Sequence, residues 1–205
     1  MDKAIGQTAM RDVSGRGPGS RPTREKLTAA AAELIAEVGW GRVTTRAVAE
    51  RAGLPHGAVS YHFRGKQELL IEACMNAFSQ AVPLEEFAAM TSVDDLIGMI
   101  GSQLDPELVP DPIPTRLMFE AMREAERDDN LRERMGAMIS QYRLAVIDVV
   151  RADQERGVIS ASVSAEGIAT LVTALGDGLL LHALLDPDLE VAGALAALRA
   201  LLAQD

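Results

Sequence analysis

Between Thr44 and Lys66 the chain gathers groups suited to phosphates and to the edges of stacked bases. Thr44, Thr45 and Arg46 come first, then His56, Gly57, Ala58, Ser60, Tyr61 and His62, and finally Lys66. Hydroxyls and cationic side chains meet phosphate oxygens, as do backbone N–H groups at a helix start. His56 and Ser60 can hydrogen-bond a base edge, helped by Arg46, while Gly57 and Ala58 offer close approach and a methyl contact. No comparable set exists for bond-making chemistry. No Ser/His/Asp, Cys/His or paired-carboxylate constellation stands at usable spacing, which points away from an enzyme. Three dispersed histidines and one cysteine give no metal-ligand spacing, and no stretch calls for a cofactor.

Two short helices must position these groups. Thr44 or Thr45 can cap the first, its hydroxyl accepting an otherwise orphan N–H. Val48, Ala49 and Ala52 give that helix an apolar face, with Arg46, Glu50 and Arg51 left polar. Gly53 follows the last periodic residue, where a left-handed residue favours glycine, and Pro55 suits the opening of the next helix. The second helix carries Gly57, Ala58 and Ser60 on one side and Val59 and Phe63 on the other. Two helices, a glycine turn and a small, polar outer face make a helix-turn-helix, whose second helix enters the DNA major groove.

From about Arg24 to Leu70 the sequence closely resembles the DNA-binding domain of TetR-family transcriptional regulators. The likeness rests on Gly39, Thr44–Thr45, Ala49, Gly53, Tyr61–His62–Phe63 and Lys66 at matching spacing, within the blocks TTRAVAERAG and SYHF. It implies that Thr45 contacts phosphate and that His56, Gly57, Ala58, Ser60 and His62 face base edges and nearby phosphates. It also assigns the Tyr61 hydroxyl and the Lys66 charge to the DNA backbone. The His62 ring either reaches DNA or supports the fold of the motif. Pro55 and Ser60 depart from the commoner pattern, which has a serine-type cap and a second aromatic there.

Composition sets the frame. In 205 residues, 48% are hydrophobic and only 3% aromatic, which favours packed helices over sheets. A formal net charge of −10 looks wrong for a DNA binder, but its distribution is uneven. Residues 1–66 hold 11 Lys/Arg against 6 Asp/Glu, a net +5, and residues 67–205 hold 9 against 24, a net −15. The chain is a basic head on an acidic body, and such a body repels DNA while the head binds. A single cysteine, Cys74, fits a reducing compartment, and no apolar signal segment follows the first charges, so a cytoplasmic protein is expected. Ala169–Leu185 is the most apolar run, but Asp177 and His182 interrupt it, so it does not read as a membrane span.

The expected organisation is all-α. Residues 1–20 form a disordered basic arm, 21–66 a three-helix DNA-binding domain, and 67–205 an effector-binding and dimerisation domain. Arg11, Arg16 and Arg21 could serve a minor groove, but the entropy cost of ordering a Gly-rich tail favours a tail without fixed contacts. Pro22–Val38 reads as the first helix, Lys66–Val82 as the fourth. Helices follow over Val93–Leu104, from Thr115 to about Arg127, and from about Asp129 to Arg156. The prolines of 105–114 are expected to hold that stretch as a loop. Ala165–Leu185, capped by Ser164, is apolar on most faces, and Leu189–Ala203 closes the chain. A helix apolar all round is buried all round, and in so small a chain a second subunit is the simplest cover. Leu171, Leu175, Leu179, Leu195, Leu198 and Leu202 are the expected interface residues, and the resemblance likewise implies dimerisation through the last two long helices. It also implies an effector pocket in the body, for which Met99, Met118, Phe119, Met122, Met138, Tyr142 and His182 are the candidates. The expected function is a ligand-responsive repressor that binds a palindromic double-stranded DNA operator as a homodimer and is released by a small, largely apolar effector. The alternative is a ligand-independent DNA-binding regulator whose body only dimerises.

Overall fold

The computed structural model describes residues 20–105, 113–186 and 188–202. The expected N-terminal arm lies outside these residues except for Ser20, which opens the first helix. Among the described residues there are ten α-helices, one 3-10 turn and no strand, so the chain is all-α. Residues up to Ala73 and residues from Cys74 onward form two compact units. The division falls inside the fourth helix, not at its first residue where the sequence placed it.

The head comprises α1 (Ser20–Val38), a 3-10 turn (Trp40–Arg42), α2 (Thr45–Arg51), α3 (Ala58–His62) and the start of α4 (Lys66–Ala81). Leu27, Ala31, Ile35, Val48, Ala49, Val59, Phe63, Leu69 and Leu70 fill its centre, and Trp40 closes over them, almost fully buried. The α2–α3 turn owes its shape to Gly53 at φ 67°. Gly53 N donates to Glu50 O and Leu54 N to Ala49 O, the paired bonds that end a helix on a left-handed residue. Gly157, at φ 73°, ends α8 in the same manner. α3 is shorter than expected, because Pro55–Gly57 form a turn in which Ala58 N donates to Pro55 O before the helix starts.

The body adds α5 (Leu84–Ala88), α6 (Val93–Leu104), α7 (Ile113–Ala125), α8 (Asp129–Glu155), α9 (Ala165–Leu185) and α10 (Val191–Leu202). α5 was not foreseen, being too short for a periodic pattern. Pro114, expected in a loop, lies in the first turn of α7, where a missing N–H costs nothing. The core runs through Phe87, Leu96, Ile97, Val146, Val150, Ile168, Ala169 and Val172. α9 packs on α8 and α6, whereas α10 packs on α6, where the glycine at 101 leaves room for Leu195. The last two helices therefore do not mainly bury each other. By length and hydropathy α9 could cross a membrane, yet Ala165, Ile168, Ala169, Val172 and Leu179 turn it into the protein core.

The start of α6 is unusually well satisfied. Ser92 caps it, its Oγ accepting from Asp95 N, while Asp95 Oδ2 accepts from Thr91 N and Ser92 N. Val93 N is served from a different helix, donating to Oδ2 of Asp153 on α8 at 2.7 Å. Asp153 is 2% exposed, and its other oxygen accepts from Arg156 at 2.6 Å. A buried carboxylate bonded on both oxygens pins α6 to the C-terminal end of α8.

Candidate nucleic-acid interface

Thr44, not Thr45, is the cap of α2. Its hydroxyl accepts from Ala47 N at 3.1 Å, which places Thr45 as the first helical residue. Arg46 points to solvent, its side chain 76% exposed, and donates to Glu50 one turn on at 2.9 Å. His56 Nε2 lies 3.9 Å from the same Glu50 oxygen. Arg46 first, and then His56, hold the Glu50 carboxyl below its usual range. Arg51 is spent differently, bridging to Glu33 and Glu37 of α1.

Along α3 the neighbours face opposite ways. Gly57 and Ser60 are exposed, Ala58 is half-buried, and Tyr61 stands 75% exposed. Ser60 donates to Gly57 O at 3.2 Å and so is already part of the turn. Val59 and Phe63 are buried. Of the two readings the sequence leaves open for His62, burial favours support of the fold over a DNA-facing side chain: it is 5% exposed, with its ring edge-on to Tyr61 at 4.9 Å. One residue of helix is a rotation of roughly 100°, which turns His62 to the inside while Tyr61 stays out. Lys66 Nζ donates to Gly41 O at 3.1 Å, tying α4 to the 3-10 turn and fixing where its charge sits. Trp40 donates to Gln67 at 3.3 Å.

Sequence reasoning passed over Arg24. It donates to His62 O, bridges to Glu72, and lies over the Phe63 ring at 4.3 Å. No spacing signals this, because its partners lie on α3 and α4 while Arg24 lies on α1.

In the body, an open groove of about 560 Å³ is lined by Met75, Ser79, Leu84, Glu85, Arg134, Ala137, Met138, Gln141 and Tyr142. Of the candidate effector residues it brings together Met138 and Tyr142. The Tyr142 hydroxyl donates to Val82 O, its ring meets Phe87 edge-on at 5.2 Å, and burial, with Glu85 adding to it, pushes the phenol pKa up. Met99, Met118, Phe119, Met122 and His182 do not line this groove. Nor do they line a second cavity of about 640 Å³ between α6, the end of α9 and α10. Met99 packs against the core, and Met122 and His182 are exposed.

The interface candidates divide in the same way. Leu179 and Leu195 belong to the protomer's own core, and Leu175, Leu198 and Leu202 pack against it. Of the six, only Leu171 stands out, 71% exposed. The large apolar side chains that α9 and α10 leave exposed are Leu171, Leu181, Leu184, Leu185 and Leu201.

An all-helical chain with a capped helix, a glycine turn and a second helix that turns its polar side outward is built as a DNA-binding regulator. Comparison with known proteins makes the assignment specific. Residues 27–73 match the family model described as bacterial regulatory proteins, tetR family. Residues 94–204, more than half the chain, match that of the BetI-type transcriptional repressor C-terminal domain. The chain belongs to the TetR family of DNA-binding transcriptional regulators. It is similar to the HTH-type transcriptional regulator TtgR of Pseudomonas putida, 27% identical over 182 residues, covering 82% of this chain and 83% of that one. The HTH-type transcriptional repressor Rv1474c of Mycobacterium tuberculosis is 24% identical over 160 residues, covering 77% and 80% respectively. Among solved structures, a transcriptional regulator from Rhodococcus sp. Rha1 superposes with a TM-score of 0.72 at 26% identity, covering 87% of this chain and 95% of that one.

Proposed function

We propose that this chain is a cytoplasmic homodimeric repressor that binds a palindromic operator and leaves it when a small, largely apolar effector occupies the body. The observation that carries the DNA half is the two-sidedness of α3: Val59, His62 and Phe63 buried, with Ser60 and Tyr61 exposed beside Arg46 and His56 of the same motif. His56, Ser60 and Arg46 read base edges, Gly57 and Ala58 allow close approach, and Thr44, Thr45, Tyr61 and Lys66 serve phosphates. Two copies would place two such helices in successive major grooves, roughly 34–36 Å apart.

The exposed leucines of α9 and α10 support the dimer, since Leu171, Leu181 and Leu185 lie on the outward side of α9 with their apolar surface left to water. The groove around Met138 and Tyr142 supports an effector, being of ligand size, with Met75, Leu84, Ala137 and Met138 set beside Ser79, Glu85, Arg134 and Gln141. Release requires the effector to prefer a head spacing that does not match the operator, because a ligand indifferent to spacing shifts nothing.

The test is selection of bound duplexes from a random-sequence pool by the full chain. A two-fold symmetric motif with half-sites about one helical turn apart is expected. Recovery of no enriched sequence, or of a single half-site only, refutes the operator claim. A panel of apolar and amphiphilic compounds titrated against the selected duplex then tests the effector. If none alters affinity, the body serves dimerisation alone.

A further inference from the structure

α3 has only five helical residues, too few to hold a helix by local bonds. Its orientation is set by what grips it. One grip is apolar: Val59, His62 and Phe63 are inside. The other is a single guanidinium. Arg24 reaches from α1 and donates through Nη1 to His62 O, the carbonyl of the last residue of α3, at 2.7 Å. Through Nε and Nη2 it meets both carboxylate oxygens of Glu72 on α4. Its plane lies over Phe63 at 4.3 Å, and Glu68 is 3.9 Å from Nη2. Both Arg24 and Glu72 are about four-fifths buried by side chain, at 23% and 20% exposure.

We infer that Arg24 is a positioning residue for DNA recognition: with Glu72 it locks the end of α3 to α4 and so fixes the angle at which α3 is offered to the groove. The assignment rests on α3 being the DNA-reading helix. Only arginine can fill the place, since a planar fork must chelate one carboxylate, reach a carbonyl and stack on a ring together. A lysine supplies the charge without that geometry. Three of the five N–H groups of Arg24 and its ring-facing plane are committed to the protein, so its assigned role is to act through α3 and not as a phosphate contact.

Phosphate contacts and groove fit separate in the assay. Arg24→Lys and Glu72→Gln, in the full chain, are titrated against the duplex selected by the wild type and against a mixed-sequence duplex, over a range of salt. Protein competent to bind is counted by stoichiometric titration, so any misfolded fraction is removed from the affinity. Specific affinity should fall about tenfold or more in each variant, the weight of a charge-assisted hydrogen bond. Mixed-sequence affinity and the salt slope should be unchanged, and the double variant should be no worse than either single one. Equal loss on both duplexes with a shallower slope makes Arg24 a phosphate contact and overturns the inference. So does specific affinity that returns to wild type once competent protein is counted, which leaves Arg24 a merely structural residue. Failure of the wild type to select any sequence refutes the DNA reading of α3 itself, and Arg24's role with it.

Discussion

Replacing Leu171 by aspartate tests the proposed dimer at its most exposed point in mid-α9. Leu171 is 71% exposed in the protomer, and Leu181 and Leu185, at 41% and 75%, continue the same side of the helix. Full burial of a leucine side chain contributes about 1.5–3 kcal/mol. With 71% still exposed, burial against a partner has about 1–2 kcal/mol left to gain. A two-fold interface uses every residue twice, so one substitution forfeits about 2–4 kcal/mol, a roughly 30- to 1,000-fold weaker dimer. A carboxylate placed where leucine was covered adds desolvation to that loss.

Sedimentation velocity over a concentration series measures the dimer constant directly. Leu179→Ala is the contrasting variant: Leu179 is 8% exposed, so its truncation should lower thermal stability by about 2–5 kcal/mol and act on the dimer only through loss of fold. The Leu171→Asp protein should keep its helical circular dichroism while its dimer weakens roughly 30- to 1,000-fold, and its melting temperature should drop only by the dimer's share of stability. A wild type that is monomeric at micromolar concentration refutes the interface, as does a Leu171→Asp chain with the wild-type dimer constant.

Lys66→Gln should weaken binding to selected and mixed-sequence DNA alike and lower the salt slope by about one. Tyr61→Phe should weaken both by about tenfold and leave the slope alone, since no charge is lost; a change confined to sequence preference would refute its phosphate role. Asp153→Ala strands the buried Val93 N–H and should cost about 3 kcal/mol, low in the range for such pairs because Arg156 is half exposed and can rehydrate. That corresponds to a melting temperature lower by about 6–12 °C, and a shift under 2 °C or so would refute it. Hydrogen bonds from Ser92 and then Thr91 hold the Asp95 carboxyl below its ordinary range. Its contribution is therefore full above the unfolded value near pH 4 and is lost as pH falls through the lower folded value. Melts of Asp95→Asn should diverge from wild type above that window and converge below it, and curves parallel throughout would contradict the assignment.

Element ends were largely legible because they are chemical signals. Gly39, Gly53, Gly157 and the cap at Ser164 sit where a reading of glycines and hydroxyls puts them. α5 was missed because five residues, LEEFA, carry no period. Inner and outer faces were legible only where polarity distinguishes them. On α3 the polarity of His62 left two readings open, and its rotation from Tyr61 buries it. On α9 nearly every residue is apolar, so periodicity cannot tell the core residue Leu179 from the exposed Leu171 and Leu185. The groove pairs Met138 and Tyr142 with Met75, Ser79 and Leu84. Those last three lie more than fifty positions away along the chain, beyond the reach of any local pattern.

The positive charge of the head is not all available to DNA, as its single cations show. Arg24 and Arg51 have carboxylate partners on other helices, Glu72 on α4 and Glu33 and Glu37 on α1. Pairs of that kind hold elements together and cannot turn to DNA without loosening the head. Arg46 is paired to Glu50 one turn along the same helix, wholly at the surface. Such a pair is weak and salt-sensitive, so a phosphate can replace the carboxylate at little cost, and His56 beside Glu50 shares in that exchange. Lys66 is anchored to Gly41 O by one of its three N–H groups and keeps two for a phosphate. Of the head's described cations, Arg24 and Arg51 are therefore held by the fold, while Arg46 and Lys66 remain open to phosphates. A single head with a five-residue reading helix, part of its charge committed to the fold, is a weaker DNA ligand than two. In the proposed dimer the second head binds as a tethered partner at high effective concentration, so operator affinity depends on the leucines of α9 and α10 as much as on Tyr61 and Lys66.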